Sequence, residues 1–107
     1  MDSLDQVLAA LSHPSRRAII ARLASGPARV TDIAAPFNLS LNAVSKHLKV
    51  LEGAGLIERQ RQGRDHVIQF NGAPLRAVAG WLHEYERFWS ERMDRLEDYF
   101  NKKRKKS

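Results

Sequence analysis

The sequence predicts a winged helix-turn-helix, a mainly α fold with a small β-hairpin (α+β) and a helical dimer interface. Three observations between Val30 and Phe70 carry this prediction. Two short helical patterns are joined by a tight polar turn, glycines end the second pattern, and two strand-like segments around another glycine follow. This order of parts is typical of a fold that places one helix in the major groove of DNA.

Two helices are predicted upstream of this region. Ser3 begins a capping-box pattern, and apolar residues then recur on one helical face. These positions are Leu4, Val7, Leu8 and Leu11. Pro14 suits the first turn of a second helix, which the pair Gly26-Pro27 ends.

The helix-turn-helix itself lies between Thr31 and Gly53. Thr31 is predicted to cap a short third helix, residues 38–40 to form the turn, and Ser40 to cap a fourth helix. The apolar positions of the fourth helix are Val44, Leu48 and Leu51. Because their spacing places them on one stripe, the opposite side of this helix is free for contacts.

A basic hairpin, called the wing below, is predicted after the fourth helix. Its strands are residues 56–61 and 66–70, and Gly63 in the intervening turn suits a positive φ. Alternation along the first strand places Arg59 and Arg61 on one face. A charged edge strand that resists aggregation is the structural alternative for these arginines.

The last predicted helix spans 74–101 and carries a long apolar stripe, with steps of three or four residues over about seven turns. The stripe comprises Leu75, Val78, Leu82, Tyr85, Trp89, Met93, Leu96 and Phe100. The preceding part of the chain is too short to cover such a face, and an exposed apolar face points to a partner. We therefore expect a homodimer in which this helix pairs with the first helix of the other subunit. The predicted interface is Leu4, Val7, Leu8, Leu82, Tyr85, Trp89, Met93 and Leu96.

The net charge is +6, but the location of the charge matters more than its sum. Residues 102–106 read KKRKK, whereas the rest of the chain is almost balanced, with 13 basic and 12 acidic groups. We expect one winged helix-turn-helix domain over 1–101, with N- and C-terminal dimerisation helices, followed by a basic, disordered tail over 102–107. A case for nucleic acid must therefore rest on local placement.

The fourth helix has the residue types that base contacts need. Its first turns are short and polar, at the end of a recognition helix that approaches base edges. Asn42 suits an adenine edge, and Lys46 suits guanine or a phosphate. Taken singly, these residues also fit structural roles as a cap or a solvated lysine, whereas the combination favours double-stranded DNA. The predicted DNA contacts are Thr31, Ser40, Asn42, Ala43, Ser45, Lys46, Lys49, Arg61 and Arg64.

Several classes of function are disfavoured. The chain has no cysteine, which excludes disulfides, thiolate metal ligands and a cysteine nucleophile. No apolar run approaches the roughly 18 residues of a membrane span, and no convergent set of titratable groups indicates an enzyme. We expect a cytoplasmic protein without catalytic residues, cofactor, metal or membrane partner.

Two segments together resemble the ArsR family of bacterial repressors. Residues 39–57, LSLNAVSKHLKVLEGAGLI, resemble the core signature of that family, and residues 8–17, LAALSHPSRR, resemble its N-terminal stretch. The resemblance covers about residues 3–90. It implies a homodimeric winged-helix repressor on a roughly palindromic operator, released by an inducer. It also implies recognition-helix contacts at Ser40, Asn42, Ser45, Lys46 and Lys49 and wing contacts at Arg61 and Arg64.

The chain departs from the metal-sensing members of that family. Residues 28–32 carry no thiol where such members have cysteines, and His83 is followed on the last helix by Glu84, Glu86 and Glu91 but by no second histidine. Zinc usually takes several N or S ligands. The resemblance is therefore to a subgroup without metal-binding cysteines, and the inducer stays unassigned. Two alternatives remain: a winged-helix module for protein contacts, and a ligand- or metal-responsive switch with its site on the last helix.

Overall fold

The computed structural model describes residues 3–105, except for the side chain of Lys105. The chain forms two compact units, one ending at Ala77 and the other beginning at Val78. The elements, in chain order, are α1 (Ser3–Leu11), α2 (Pro14–Leu23), β1 (Ala28–Arg29), α3 (Val30–Ala34), a 3-10 turn (Ala35–Phe37), α4 (Leu41–Gly53), β2 (Ile57–Gln62), β3 (Asp65–Phe70) and α5 (Ala73–Lys105). This architecture confirms the predicted fold class.

The corner between α1 and α2 is fixed by side-chain caps. The Nδ1 atom of His13 accepts the backbone N–H of Ser15 at 3.1 Å, and Pro14 is the first residue of α2. Arg16 donates to the carbonyls of Ala9 and Ala10 at the end of α1, the latter at 2.6 Å. These bonds satisfy backbone groups that have no partner within their own helices, so the corner is rigidly defined.

The start of α4 follows the prediction. Asn38 adopts a left-handed conformation with φ 53°, which reverses the chain after the 3-10 turn. Ser40 is the cap residue of α4, and its Oγ accepts the backbone N–H of Ala43 at 3.1 Å. Such a cap typically contributes about 1 kcal/mol.

The start of α3 differs from the prediction. Thr31 is not its cap, because α3 already begins at Val30 and the preceding Arg29 is extended, with no side-chain capping bond. The reason is a short strand: Arg29 pairs with Val67 of β3, so the chain passes directly from the sheet into the helix. The third helix was predicted to continue to the turn at residue 38, but α3 ends at Ala34 and a 3-10 turn containing Pro36 and Phe37 follows.

The sheet is antiparallel with the order β1-β3-β2, so β3 is the central strand. The register pairs Arg59 with Ile68 and Arg61 with His66. Directly paired residues share a face, so both arginines lie on the face of the fully buried Ile68, as alternation predicts. Gly63 has φ 63° at the first of two loop positions, the one for which a type II′ turn requires glycine.

One hydrophobic core holds the first unit together. Its largest fully buried side chains come from α1, α2, α3, α4, β3 and the segment before β2, and are Val7, Ile19, Ile33, Val44, Leu48, Leu51, Leu56 and Ile68. One residue of the predicted dimer interface is therefore wrong: the side chain of Val7 is 1% exposed, because it packs inside its own chain. A residue so buried offers no surface to a second subunit.

The second unit is a single helical segment, the part of α5 from Val78 onward. Every described side chain from Trp81 to Arg104 is exposed. Trp81 stacks on Tyr85, four residues later, with ring centroids 5.3 Å apart, and Tyr85 meets the edge of Trp89 at 5.9 Å. Within residues 3–105, no helix combines the length and the apolar character that crossing a membrane requires.

The helix α5 also extends further than predicted. Residues 102–105, the first part of the segment expected to be a disordered tail, are helical, and residues 106 and 107 lie outside the described residues. Lysine and arginine are strong helix formers, and basic groups in the last turn interact favourably with the helix dipole.

Candidate nucleic-acid interface

The two sides of α4 have opposite character. Val44, Leu48 and Leu51 are each 0% exposed. Asn42, Lys46 and Lys49 follow one another at helical spacing on the other side, and all three are exposed. Neither lysine forms an ion pair with any described residue. The helix therefore presents one polar, cationic row that the protein leaves unneutralised.

The first turn of α4 carries small side chains that would let a ligand come close to the backbone. Ala43 and Ser45 are half-buried, and Ser40 is exposed. The hydroxyl of Ser40 is engaged in the cap, so its direct contribution is to hold the helix start. The first backbone N–H groups of a helix point outward and favour an anion there, while small side chains let a ligand approach the backbone.

The wing carries three more arginines, which differ in how far neighbouring groups hold their side chains in place. Arg61 and Arg64 are exposed, and the Arg61 Nε donates to the Gly63 carbonyl at 3.3 Å. Arg59 is more restricted, because its Nε lies 3.4 Å from a carboxylate oxygen of Glu52 in α4 and its side chain is 28% exposed. Arg59 therefore links the wing to α4, whereas Arg61 and Arg64 are exposed and accessible to a ligand.

Sequence analysis missed Arg29. Its Nε lies 3.0 Å from the Asp32 carboxylate, and its Nη1 lies 3.8 Å from that of Asp65 at the start of β3. The hydrogen bond and charge of Asp32, then the charge of Asp65, raise the pKa of Arg29, and its hydrogen bond lowers the pKa of Asp32. The spacing of Arg29 and Asp32 was the available signal, but the contact with Asp65 depends on sheet pairing that two residues of strand do not reveal.

These elements enclose a cleft of about 260 Å³. Three predicted DNA-contact residues, Thr31, Ser45 and Arg64, line it together with Arg29 and Arg59. The other predicted contacts lie outside it: Asn42, Ala43 and the two lysines on α4, Ser40 at its cap, and Arg61 on β2. The structure therefore brings one subset of the predicted site together in the cleft and leaves the rest on α4 and the wing.

A second cluster lies on the flank of α4. The rings of His47 and His13 have centroids 4.6 Å apart, and Nη1 of Arg16 lies 3.4 Å from Nδ1 of His47. Arginine has only donors, so the Nδ1 of His47 must accept. Burial is the main cause that lowers the pKa of His47, and the charges of His13 and Arg16 lower it further. The cluster joins α4 to the corner between α1 and α2.

The predicted dimer residues other than Val7 are accessible. Leu4 is half-buried and Leu8 is 41% exposed. The α5 members are all between 43% and 60% exposed, and are Leu82, Tyr85, Trp89, Met93 and Leu96. Over the described residues, no group of three or more histidine or carboxylate side chains is placed to hold a metal ion.

The sequence matches known proteins along most of its length. A family model described as a helix-turn-helix domain matches residues 11–60. The HTH-type transcriptional regulator Rv2034 of Mycobacterium tuberculosis is 40% identical over 88 residues, which are 82% of this chain and 79% of that protein. The transcriptional repressor SdpR of Bacillus subtilis is 33% identical, over 74% of this chain and 88% of that protein.

Solved structures agree with these relatives. A crystal structure of an ArsR family transcriptional regulator superposes with a TM-score of 0.78 at 37% identity, covering 83% of this chain and 98% of that one. The homodimeric winged helix-turn-helix DNA-binding domain Mb0332 of Mycobacterium bovis superposes with a TM-score of 0.67 at 25% identity, covering 84% of each chain. The shared architecture includes the helix-turn-helix and the wing described above.

The histidine cluster predicts an acid-sensitive fold. Because the folded-state pKa of His47 is lowered, the unfolded chain binds more protons at acidic pH, so this contribution to stability is present above about pH 6.5 and is lost as the pH falls below that value. We expect His47→Gln to flatten the dependence of the unfolding free energy on pH between pH 8 and 5, as measured by urea denaturation at fixed protein concentration. His83→Gln, on the exposed part of α5, is the control and should keep the wild-type dependence. Equal pH dependence in the wild type and His47→Gln would refute the role of the cluster.

Proposed function

The chain belongs to the ArsR family of winged helix-turn-helix transcriptional regulators, and from this membership we propose that it acts as a homodimeric repressor on a roughly palindromic operator. The observation that carries the proposal is the two-sided nature of α4. Its inner stripe is fully buried, while Asn42, Lys46 and Lys49 form an open row without acidic partners. A helix held in this way is suited to the DNA major groove.

The contacts divide into those that read bases and those that hold the backbone. Asn42 is suited to an adenine edge and Lys46 to guanine, both in the major groove. Lys49 and the exposed start of α3, with Thr31, suit phosphates. The small residues Ser40, Ala43 and Ser45 let the start of α4 approach the base pairs. At the wing, Arg61 and Arg64 suit phosphates or a narrow minor groove.

Dimerisation follows from the exposed apolar face of α5. A face of this kind on a small protein marks an interaction site, and a second copy of the chain supplies a matching face by symmetry. Leu4 and Leu8 of α1 add accessible apolar surface. The homodimeric state of the Mb0332 domain supports the same assembly for this chain. A two-fold dimer would place its recognition helices on half-sites about one helical turn apart.

Repression is proposed on two grounds. The relative SdpR is named a transcriptional repressor, and a dimer bound across a promoter blocks access to it. We propose that the protein works in the cytoplasm, where bacterial DNA lies, and that an inducer releases it. The chain has no cysteine, so this inducer is not sensed through a thiolate metal site or a redox-active thiol.

DNA binding is tested by the affinity for duplexes. We expect the wild-type protein to bind DNA from upstream of its own gene more tightly than random duplex, as measured by fluorescence anisotropy. Lys46→Ala should weaken specific binding by roughly tenfold or more, the loss of one base-edge or phosphate contact. Arg76→Ala, which removes one exposed positive charge from the start of α5, is the matched control and should have little effect. Equal affinity for both duplexes, or an unchanged Lys46→Ala affinity, would contradict the proposal.

Assembly is tested by sedimentation velocity. The 12.2 kDa chain should sediment as a dimer. Trp89→Glu places a charge on the apolar face of α5 and should shift the protein to monomer, because the charge would have to be desolvated in the interface. Arg87→Glu, on the charged side of the same helix, should remain dimeric. A monomeric wild type that binds no duplex would instead favour a module for contacts with other proteins.

A further inference from the structure

The cleft between β1, α4 and the wing is rich in positively charged side chains. Three arginines face it from three different elements: Arg29 from β1, Arg59 from β2 and Arg64 from the hairpin turn. The hydroxyls of Thr31 and Ser45 add two neutral donors. Among the described residues, Asp65 is the only carboxylate that lines the cleft. The lining therefore combines an excess of positive charge with hydrogen-bond donors, which is the chemistry that a phosphate requires.

The arginines of the cleft differ in how firmly they are held. Arg59 is paired with Glu52 in α4. Arg64 forms no ion pair within the described chain. Arg29 bonds closely to Asp32, at 3.0 Å, and only loosely to Asp65, at 3.8 Å, and all three of these side chains are about half exposed. An exposed pair at 3.8 Å contributes little stability, so a stronger anion can replace Asp65.

We propose that this cleft binds a phosphate group, and that Arg29 exchanges Asp65 for that phosphate while Asp32 keeps its guanidinium in place. The proposal rests on the DNA-binding function above, because the favoured source of the phosphate is the DNA backbone beside the recognition helix. Thr31, Ser45 and Arg64, which were predicted to contact DNA from sequence, line the same cleft. A free phosphate presents the same chemistry, and the two sources are separable by experiment.

Because of this exchange, substitutions of Arg29 and of Asp65 should have opposite effects on the affinity for DNA. Arg29→Ala removes a cation that neutralises a phosphate, so the slope of log affinity against log salt should become shallower by about 0.9. Asp65→Asn removes the competing carboxylate and should tighten DNA binding severalfold. Both variants break the same ion pair, so a purely structural role of the pair would weaken binding in both. The sign of the Asp65→Asn effect therefore separates the two explanations.

The experiment measures the affinity of the full chain for the upstream duplex and for a random duplex at several salt concentrations. Loss of a phosphate contact should change both duplexes equally, since the backbone carries no sequence information. Arg76→Ala and Glu58→Gln are the charge-matched controls, the latter on the wing strand β2, and they should alter the affinity less than Arg29→Ala and Asp65→Asn do. Circular dichroism verifies that each variant is folded.

Inorganic phosphate, titrated into the DNA-free protein and followed by amide NMR shifts, identifies the source. A saturable shift at Thr31 and Ser45 that is absent in Arg29→Ala would support the cleft with free phosphate as a ligand. If Arg29→Ala keeps the wild-type salt slope and still prefers the upstream duplex, the proposed phosphate site in the cleft is wrong, while the proposed DNA-binding function stands. If the wild type shows no preference for the upstream duplex, the proposed function is wrong. The phosphate titration then tests the phosphate site in the cleft by itself.

Discussion

Burial of the inner stripe of α4 is the constraint on which the rest of the protein depends. Val44, Leu48 and Leu51 are fully buried, and losing one such leucine typically costs 2–5 kcal/mol. A helix anchored along one stripe has its rotation about its own axis fixed. The orientation of Asn42, Lys46 and Lys49 is thus a consequence of core packing, and the same core that gives the unit its stability also aims the row that we propose to contact DNA.

The surroundings of α4 reinforce that orientation with polar contacts. Ser40 fixes where the helix begins, and Arg59 connects the wing to Glu52 in the helix. On the other flank, His47 connects α4 to the caps at the corner between α1 and α2. The charge that matters is accordingly local. Five of the basic residues lie in the segment 102–106, and five more, two lysines in the open row and three arginines around the cleft, are held in a defined arrangement.

The sequence was most informative where one local signal decided the structure. The stripe of α4, the Ser40 cap and Gly63 in the wing each depend on spacing or on one backbone requirement, and all were predicted. The errors fall where contacts distant in sequence decide. Thr31 is not a helix cap because Arg29 pairs with β3. Val7 is buried although it shares its helical face with residues that remain accessible, so the helical pattern alone could not exclude it from the interface. Arg29 was missed for the same reason, since its contact with Asp65 joins two neighbouring strands that are far apart in sequence.

We propose that α4 reads DNA sequence through the row opposite its buried stripe. Selection of binding sites from a randomised duplex library, by the wild type and by Asn42→Ala, tests it most directly. The wild type should select an inverted repeat with half-sites about one helical turn apart. Asn42→Ala should lose its base preference at one position in each half-site and keep it elsewhere. Selection of the same motif by both proteins, or of no motif by the wild type, would contradict the account.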